Sequence, residues 1–129
     1  MLCRFFVPLE PMPYSRVRTN GRHFYNDSRY SEYKETVGVC ARNAMRGKQT
    51  TKKPISISII FSRNKKTCSK GFGDLDNLTK AILDSLNGIC YEDDIQVCEI
   101  HARKMQFSLQ GTEIEIREIV AELDDEVPF

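Results

Sequence analysis

The residues best suited to chemistry lie in one stretch of the chain, which reads DLDNLTKAILDSLNGICYEDDIQ. Two close pairs of carboxylates, Asp74 with Asp76 and Asp93 with Asp94, flank a helical pattern that carries one lysine, Lys80. Magnesium prefers oxygen ligands and is usually held by one or two protein carboxylates together with water and substrate phosphate oxygens. The stretch therefore predicts a magnesium site at which a phosphodiester could be hydrolysed.

The first pair of carboxylates comes just before the helical pattern. Asp74 and Asp76 are two residues apart, so in an extended or turning backbone their side chains can converge on one cation. The alternative is that they only cap the helix and complement its dipole, with Asp76 or Asn77 at the N-cap. Capping accounts comfortably for one carboxylate but hardly for both.

The helical pattern has a charged face and an apolar face. Asp76, Lys80 and Asp84 recur every four residues, so the lysine projects from the same side as the predicted metal site. The alternative is a pair of surface contacts, each worth only about 0.2–0.5 kcal/mol in an isolated helix. The apolar stripe, which we expect in the core, consists of Leu75, Leu78, Ile82, Leu86 and Ile89.

The second pair of carboxylates follows the end of this helix, which the Asn87-Gly88 dipeptide marks. Asp93 and Asp94 are adjacent and come just before a predicted strand. Because neighbouring strand residues point to opposite faces, we expect only one of the two carboxylates to face the site fully.

Competing ligand motifs fail on the same residues. An EF-hand loop that began at Asp74 would need glycine and glutamate where the chain has Thr79 and Ser85. The GFG sequence before Asp74 lacks the lysine and hydroxyl residue of a P-loop. His23 and His101 are isolated, and the five cysteines are scattered with no CxxC spacing, so neither a zinc site nor a disulfide framework is expected.

Charge is divided unevenly along the chain. Residues 1–70 hold 15 Lys and Arg against 4 Asp and Glu, whereas residues 71–129 hold 4 against 14. A basic half suits a polyanion, because neutralised phosphates release condensed counterions. The acidic half would repel nucleic acid unless a divalent cation intervened. The alternative is that the two halves neutralise each other across the surface.

Length and composition indicate one globular domain. The 129 residues suit a single domain, 1–129, in which about 122–129 form an acidic tail. Hydrophobic residues make up 40% and charged residues 29%, which excludes a disordered chain. No apolar run approaches the roughly 20 residues that span a bilayer, and the N-terminus lacks the pattern of a signal peptide. We therefore expect a cytoplasmic protein.

The other elements follow from periodicity. Segment 14–25 has an Asn-Gly pair between basic and aromatic residues, which is typical of an exposed hairpin or loop that could close over a ligand. A helix is predicted from residue 27 or 28 to about 46, and segment 54–61 (PISISIIF) predicts a central strand. Further strands are predicted at 2–7, 97–107 and 112–119.

The motifs DLDN, a lysine three residues beyond the asparagine, LDSLNG and YEDDIQV closely resemble the RusA family of Holliday junction resolvases. The resemblance is strong over residues 74–104, and the basic segment 13–27 followed by a helix is similar in layout. Together with the predicted elements, it implies a small α+β domain with a mixed sheet of about four strands and two main helices. One departure is KGFG at 70–73, where the family has an arginine run; this leaves local DNA contacts and sequence preference open.

The resemblance also implies an activity and its residues. Members of the family are homodimeric, magnesium-dependent endonucleases that cut four-way DNA junctions, and they often occur in prophages. Carried over by position, the three catalytic, metal-binding aspartates fall on Asp74, Asp76 and Asp94, and the essential lysine falls on Lys80. Magnesium is the expected cofactor, with manganese as a substitute, and the products would carry a 5′-phosphate and a 3′-hydroxyl.

Substrate binding is expected to rest on the basic half, with Phe24, Tyr25 or Phe72 as groups that stack on bases. Because a four-way junction has two-fold symmetry, an enzyme that nicks opposed strands is expected to be a two-fold dimer. The predicted DNA contacts are Arg16, Arg18, Arg22, Lys65, Lys66, Lys70 and Asn77.

The predicted mechanism is metal-assisted hydrolysis. The three aspartates hold magnesium, which lowers the pKa of a bound water and draws in the scissile phosphate, and Lys80 stabilises the negative charge of the transition state. One alternative is a DNA-binding protein without nuclease activity, whose binding would persist in a chelator. Another is a nuclease of the same chemistry that acts on flaps, forks or RNA.

Overall fold

Two α-helices and two sheets make up the described part of this computed structural model, which comprises residues 1–15, 18–20, 23–25, 28–64, 72–106 and 109–120, with the backbone alone for 18–20 and 23–25. The predicted helices and strands are confirmed, with bounds that differ slightly. In chain order they are β1 (Cys3–Val7), β2 (Arg18–Asn20), β3 (His23–Tyr25), α1 (Ser28–Ala44), β4 (Ile55–Arg63), α2 (Leu75–Leu86), a 3-10 turn (Asp94–Gln96), β5 (Val97–Gln106) and β6 (Gly111–Glu118).

The main sheet is mixed and has the strand order β1-β6-β4-β5. The pairs β1–β6 and β6–β4 are antiparallel, whereas β4 and β5 are parallel. A parallel pair needs a crossover connection, and α2 supplies it between β4 and β5. The predicted α+β fold, with four strands, two helices and β4 inside the sheet, is confirmed.

The alternation of residues in β4 separates the two faces of the sheet. Ile55, Ile57 and Phe61 are fully buried, whereas Ser56 and Ser58 are only partly buried. Because strand side chains alternate between faces, Ile55 and Ile57 line the core, whereas Ser56 and Ser58 lie on the opposite, more polar face.

The two helices pack against each other and against the strands. α1 contacts β1 and α2, and α2 contacts β5. Leu78, Ile82 and Leu86 are fully buried, as the predicted apolar stripe requires, while Leu75 and Ile89 are partly buried. This packing fixes α2 beside β5 and leaves its charged face exposed.

The predicted hairpin is confirmed by the antiparallel pair β2–β3, in which Arg18 lies opposite Tyr25 and Asn20 opposite His23. Gly21 of the Asn-Gly pair and the predicted acidic tail, about 122–129, lie outside the described residues. Among the described helices, none has both the length and the apolar character required to cross a bilayer.

Candidate active site

Two cations and an aromatic ring fix the loop that leads into α2. The Phe72 ring centroid lies 5.1 Å from the guanidinium carbon of Arg63 and 5.3 Å from Lys104 Nζ. Lys104 Nζ also donates a hydrogen bond to the Gly73 carbonyl oxygen at 3.0 Å. Since Arg63 ends β4 and Lys104 lies in β5, the sheet sets the position of Asp74. The prediction that Phe72 stacks on DNA is wrong, because this ring is only 1% exposed.

A close approach at Gly73 completes this loop. Gly73 has φ +93°, a conformation that side chains rarely adopt, and a Cβ there would lie 3.3 Å from Pro13 and 3.6 Å from Leu78. Next to it, the Tyr14 backbone N–H donates to the Asn77 carbonyl oxygen at 3.0 Å. The segment before the hairpin is thereby packed against the first turns of α2.

The first pair of carboxylates lies at the start of α2. Asp74 is the N-cap residue, with φ −72° and ψ 142°, yet its side chain makes no capping hydrogen bond. Asp76 lies in the first turn, where the helix dipole stabilises negative charge, and its Oδ1 accepts the Asn77 N–H at 3.0 Å. Both side chains are exposed. Asp74 therefore occupies the N-cap position of α2, but its carboxylate makes no capping hydrogen bond and is available to a cation.

Lys80 is held by an aromatic ring. Its Nζ lies 4.3 Å from the Tyr14 ring centroid, within cation–π range, and the Tyr14 ring makes an edge contact with Tyr30 at 5.8 Å. Asp84, one turn further along α2, pairs instead with Lys34 of α1 at 2.7 Å. Among the described residues Lys80 has no salt-bridge partner, so surface pairing within α2 does not account for it.

The two adjacent aspartates of the second pair have different environments. The Asp93 side chain caps the 3-10 turn and accepts the Ile95 N–H at 3.2 Å. A hydrogen bond with the Asp93 side chain, then partial desolvation and repulsion from Asp93 and Asp84, raises the pKa of Asp94 above its ordinary value. The two carboxylates are therefore electrostatically linked, although they occupy different positions.

Three of the predicted catalytic residues meet at one cavity. Asp76, Lys80 and Asp94 line a cavity of about 600 Å³ formed by α2, the 3-10 turn and β5, whereas Asp74 is not among its lining residues. Within the described ranges, no three carboxylate, imidazole or thiol side chains converge closely enough to hold a metal ion by themselves. The other lining residues, mostly apolar, are Leu75, Thr79, Leu83, Ile100 and Ala102.

The chain is similar to known proteins and matches one protein family. A family model described as Endodeoxyribonuclease RusA matches residues 8–117. The chain belongs to the RusA family. It is also 26% identical over 138 residues to the uncharacterized protein YqaN of Bacillus subtilis (strain 168), with 92% of this chain and 97% of that relative covered. The resemblance to the RusA family is confirmed, and the matched range includes both helices and the cavity.

The carboxylates of this RusA-family chain suit a hard cation but do not form a closed cage. Asp74 and Asp76 lie two residues apart at the start of α2, and Asp94 lines the same cavity as Asp76 and Lys80. Two carboxylates are sufficient for magnesium when water and phosphate oxygens complete its coordination.

Only two of the seven predicted DNA contacts belong to the described residues. The side chain of Asn77 is exposed in the first turn of α2, and Arg18 lies in β2. The remaining candidates, Arg16, Arg22, Lys65, Lys66 and Lys70, lie outside the described residues.

Sequence reasoning about this RusA-family chain missed Tyr14 and the capping role of Asp93. Tyr14 was not recognised because its contact with Lys80 joins distant parts of the chain. The role of Asp93 had a local signal, since Asp93 and Gln96 have the spacing of a capping box, in which residue three of the turn bonds back to the cap.

Proposed function

We propose that this chain is a magnesium-dependent endonuclease that resolves four-way DNA junctions. The observation that supports it most strongly is that Asp76, Lys80 and Asp94 line one cavity in a member of the RusA endodeoxyribonuclease family. Carboxylates near a phosphate require a cation to offset repulsion, and a lysine beside them adds positive charge for the reacting phosphoryl group.

The residues that would hold the cation are Asp74, Asp76 and Asp94. When bound, magnesium, or manganese in its place, makes water more acidic and attracts phosphate oxygens. The Asp74 carboxylate makes no hydrogen bond that caps α2, and Asp76 is exposed two residues later, so both can orient toward a cation that also contacts the phosphate. These residues fit a cation that shares its coordination with the substrate.

Lys80 is the residue that would stabilise the extra negative charge on the phosphoryl group in the transition state. The Tyr14 ring restricts the ammonium group, and no described carboxylate neutralises it in a salt bridge. Its charge therefore remains available to the substrate. The resemblance to the family implies that the products carry a 5′-phosphate and a 3′-hydroxyl.

Two opposed nicks in a symmetric junction require two equivalent sites, and we propose that a second copy of this chain provides the other one. The basic residues of the first half, with Arg16, Arg18, Arg22, Lys65, Lys66 and Lys70 foremost, would bind the phosphates of the arms. Phe24 and Tyr25 remain candidates for stacking on unpaired bases.

The proposal is tested by incubating the chain with a synthetic four-way junction and with a linear duplex of the same sequence, in magnesium or in a chelator. The expected result is paired nicks in the four-way junction but not in the linear duplex, and only when magnesium is present. Junction binding without cutting in every divalent metal would instead indicate a DNA-binding protein. Equal cutting of the duplex would indicate a nuclease of another specificity, and flaps, forks and RNA in the same assay would identify it.

A further inference from the structure

The side chain of Gln96 uses both halves of its amide in the turn that carries Asp94. Its Oε1 accepts the backbone N–H groups of Glu92 at 2.8 Å and Asp93 at 3.0 Å. Its Nε2 donates to the backbone carbonyl oxygens of Thr51 at 3.0 Å and Lys53 at 2.9 Å. An amide has two donor hydrogens and an oxygen with two lone pairs, so all four hydrogen-bonding positions are filled.

The segment that receives these bonds is itself fixed to the core. The Thr51 N–H donates to the Cys90 carbonyl oxygen at 3.1 Å, and the Thr51 hydroxyl donates to Glu118 Oε2 at 2.6 Å. The same hydroxyl accepts the Lys53 N–H at 3.1 Å. We call residues 51–53 the anchor segment; it precedes β4 and presents two carbonyl groups to Gln96.

The aspartate turn is held at both ends but exposed between them. Tyr91 is fully buried and its hydroxyl donates to the Leu83 carbonyl oxygen at 2.7 Å, whereas Val97 begins β5 beside β4. Between these points Asp93 and Asp94 are exposed. The Gln96 side chain, partly buried, is therefore the link that joins the middle of the turn to the anchor segment.

We infer that Gln96 is the positioning residue for Asp94: it sets the orientation of this carboxylate in the cavity by attaching the turn to the anchor segment. The inference rests on the proposed function, because it assigns to the turn the purpose of presenting Asp94. Gln96 is not among the residues that line the cavity, so it acts through the backbone of the turn rather than on the substrate.

The main test is Gln96→Met, which retains the length of the side chain and removes all four hydrogen bonds. Exchange of the Glu92 and Asp93 amide hydrogens should become about fivefold faster or more, because their acceptor is lost, while amides of β4 keep their protection. Junction cutting should fall about 10- to 100-fold in kcat, the usual effect of losing a residue that orients a metal ligand. Junction binding in a chelator should stay within about twofold.

Gln49→Met is the matched control, since Gln49 is exposed in the loop after α1 and makes no hydrogen bond to described residues through its side chain. It should leave both exchange and cutting unchanged. A purely structural role of Gln96 would instead lower the thermal midpoint, accelerate exchange throughout the sheet, and weaken binding and cutting together.

A second variant keeps the inference testable if Gln96→Met does not fold. Thr51→Val removes the hydroxyl contacts that shape the anchor segment. In a chain that retains Gln96, this change should lower kcat several-fold. In the double variant this loss should not add to that of Gln96→Met, because the link is already broken. Unchanged cutting in Gln96→Met, or in Thr51→Val where Gln96→Met does not fold, would overturn the inference, and so would fully additive losses in the double variant. A wild-type chain that cuts no junction would contradict the proposed function, whereas amide exchange would still report whether Gln96 fixes the turn.

Discussion

At the scale of single residues, Lys80 forms no salt bridge with the carboxylates of its own helix, although it lines the same cavity as Asp76. Asp84 pairs with Lys34, and the Lys80 ammonium lies over the Tyr14 ring. A cation–π contact restricts a lysine without cancelling its charge, whereas a salt bridge would offset that charge before the substrate arrived. This arrangement suits a residue whose charge is required by a phosphate.

Replacement of Lys80 by methionine is therefore expected to lower kcat for junction cutting by about 100-fold or more, the usual effect of removing a group that stabilises a developing charge. Junction affinity, measured by gel shift in a chelator, should change much less. Arg42→Met is the control, because Arg42 is exposed in the last turn of α1 and forms no salt bridge with a described residue. Equal losses of affinity and kcat in Lys80→Met would contradict a role in the transition state.

The pKa of Asp94 depends on its neighbour Asp93. Since hydrogen bonding to Asp93 is the first cause of the raised pKa of Asp94, Asp93→Asn should lower that pKa. Asparagine is as good an N-cap as aspartate, so the 3-10 turn should persist. Carboxyl ¹³C NMR of the metal-free protein measures the shift directly.

The raised pKa of Asp94 also makes the free energy of unfolding depend on pH. The folded chain holds the Asp94 proton more tightly than the unfolded chain, so the free energy of unfolding falls as pH rises through the pKa of Asp94. Asp93→Asn should reduce this fall. An Asp94 carboxyl that titrates identically in both proteins would show that Asp93 does not control it.

At the scale of elements, the loop before α2 is the part of the site that the sheet controls most directly. Gly73→Ala places a side chain at φ +93° and against Pro13, which should lower the free energy of unfolding by about 1–2 kcal/mol. It should also reduce cutting, because a shift here displaces Asp74. Urea unfolding and junction cutting measure the two effects.

Gly47→Ala provides the control for this change. Gly47 has a similar φ of +78°, but nothing lies within 4 Å of an added Cβ, and the residue follows the end of α1. It should lower stability to a similar extent and leave cutting intact. Loss of cutting in both variants would show that activity follows stability alone.

The elements themselves could be predicted from local pattern. The stripe of Leu78, Ile82 and Leu86 identified α2, and the alternation in PISISIIF identified β4, because each pattern reflects burial of one face. The Asn87-Gly88 end of α2 and the hairpin around Asn20 were likewise local signals. These features depend on neighbouring residues, which a single sequence displays.

The connections between elements could not be predicted in the same way. The parallel pairing of β4 with β5, the Tyr14 ring against Lys80 and the burial of Phe72 all join residues distant in sequence. The expected convergence of Asp74, Asp76 and Asp94 likewise depends on contacts between residues that are distant in sequence. It remains a prediction, because the cavity brings only Asp76 and Asp94 together with Lys80.

At the scale of the whole molecule, the basic and acidic halves of the sequence are interleaved. The acidic strand β6 lies between β1 and β4, which belong to the basic half. Part of the charge is therefore neutralised across the surface, as the simpler interpretation of the sequence suggested. Ion pairs between described residues of the two halves include Arg4–Glu113 at 2.6 Å, Lys34–Asp84 at 2.7 Å and Lys52–Glu92 at 3.9 Å.

The basic residues outside these pairs should make junction binding strongly dependent on salt. Each phosphate contact contributes about −0.9 to the slope of log affinity against log salt concentration for duplex arms. Lys66→Met, a change in the connection before α2, should reduce the magnitude of that slope by about one and leave the extent of cutting at saturation unchanged. Binding titrations at several salt concentrations measure it, and an unchanged slope would remove Lys66 from the interface.

The measurement that tests the central claim most directly is cleavage of a four-way junction in magnesium by the wild-type chain and by Asp76→Asn, with junction binding followed in parallel. Glu35→Gln, an equivalent change at an exposed position of α1, serves as control. The proposed function predicts paired nicks by the wild type and the control, and intact binding without nicks by Asp76→Asn. Wild-type rates of cutting by Asp76→Asn would contradict it, because the carboxylate proposed to hold the cation would then be dispensable.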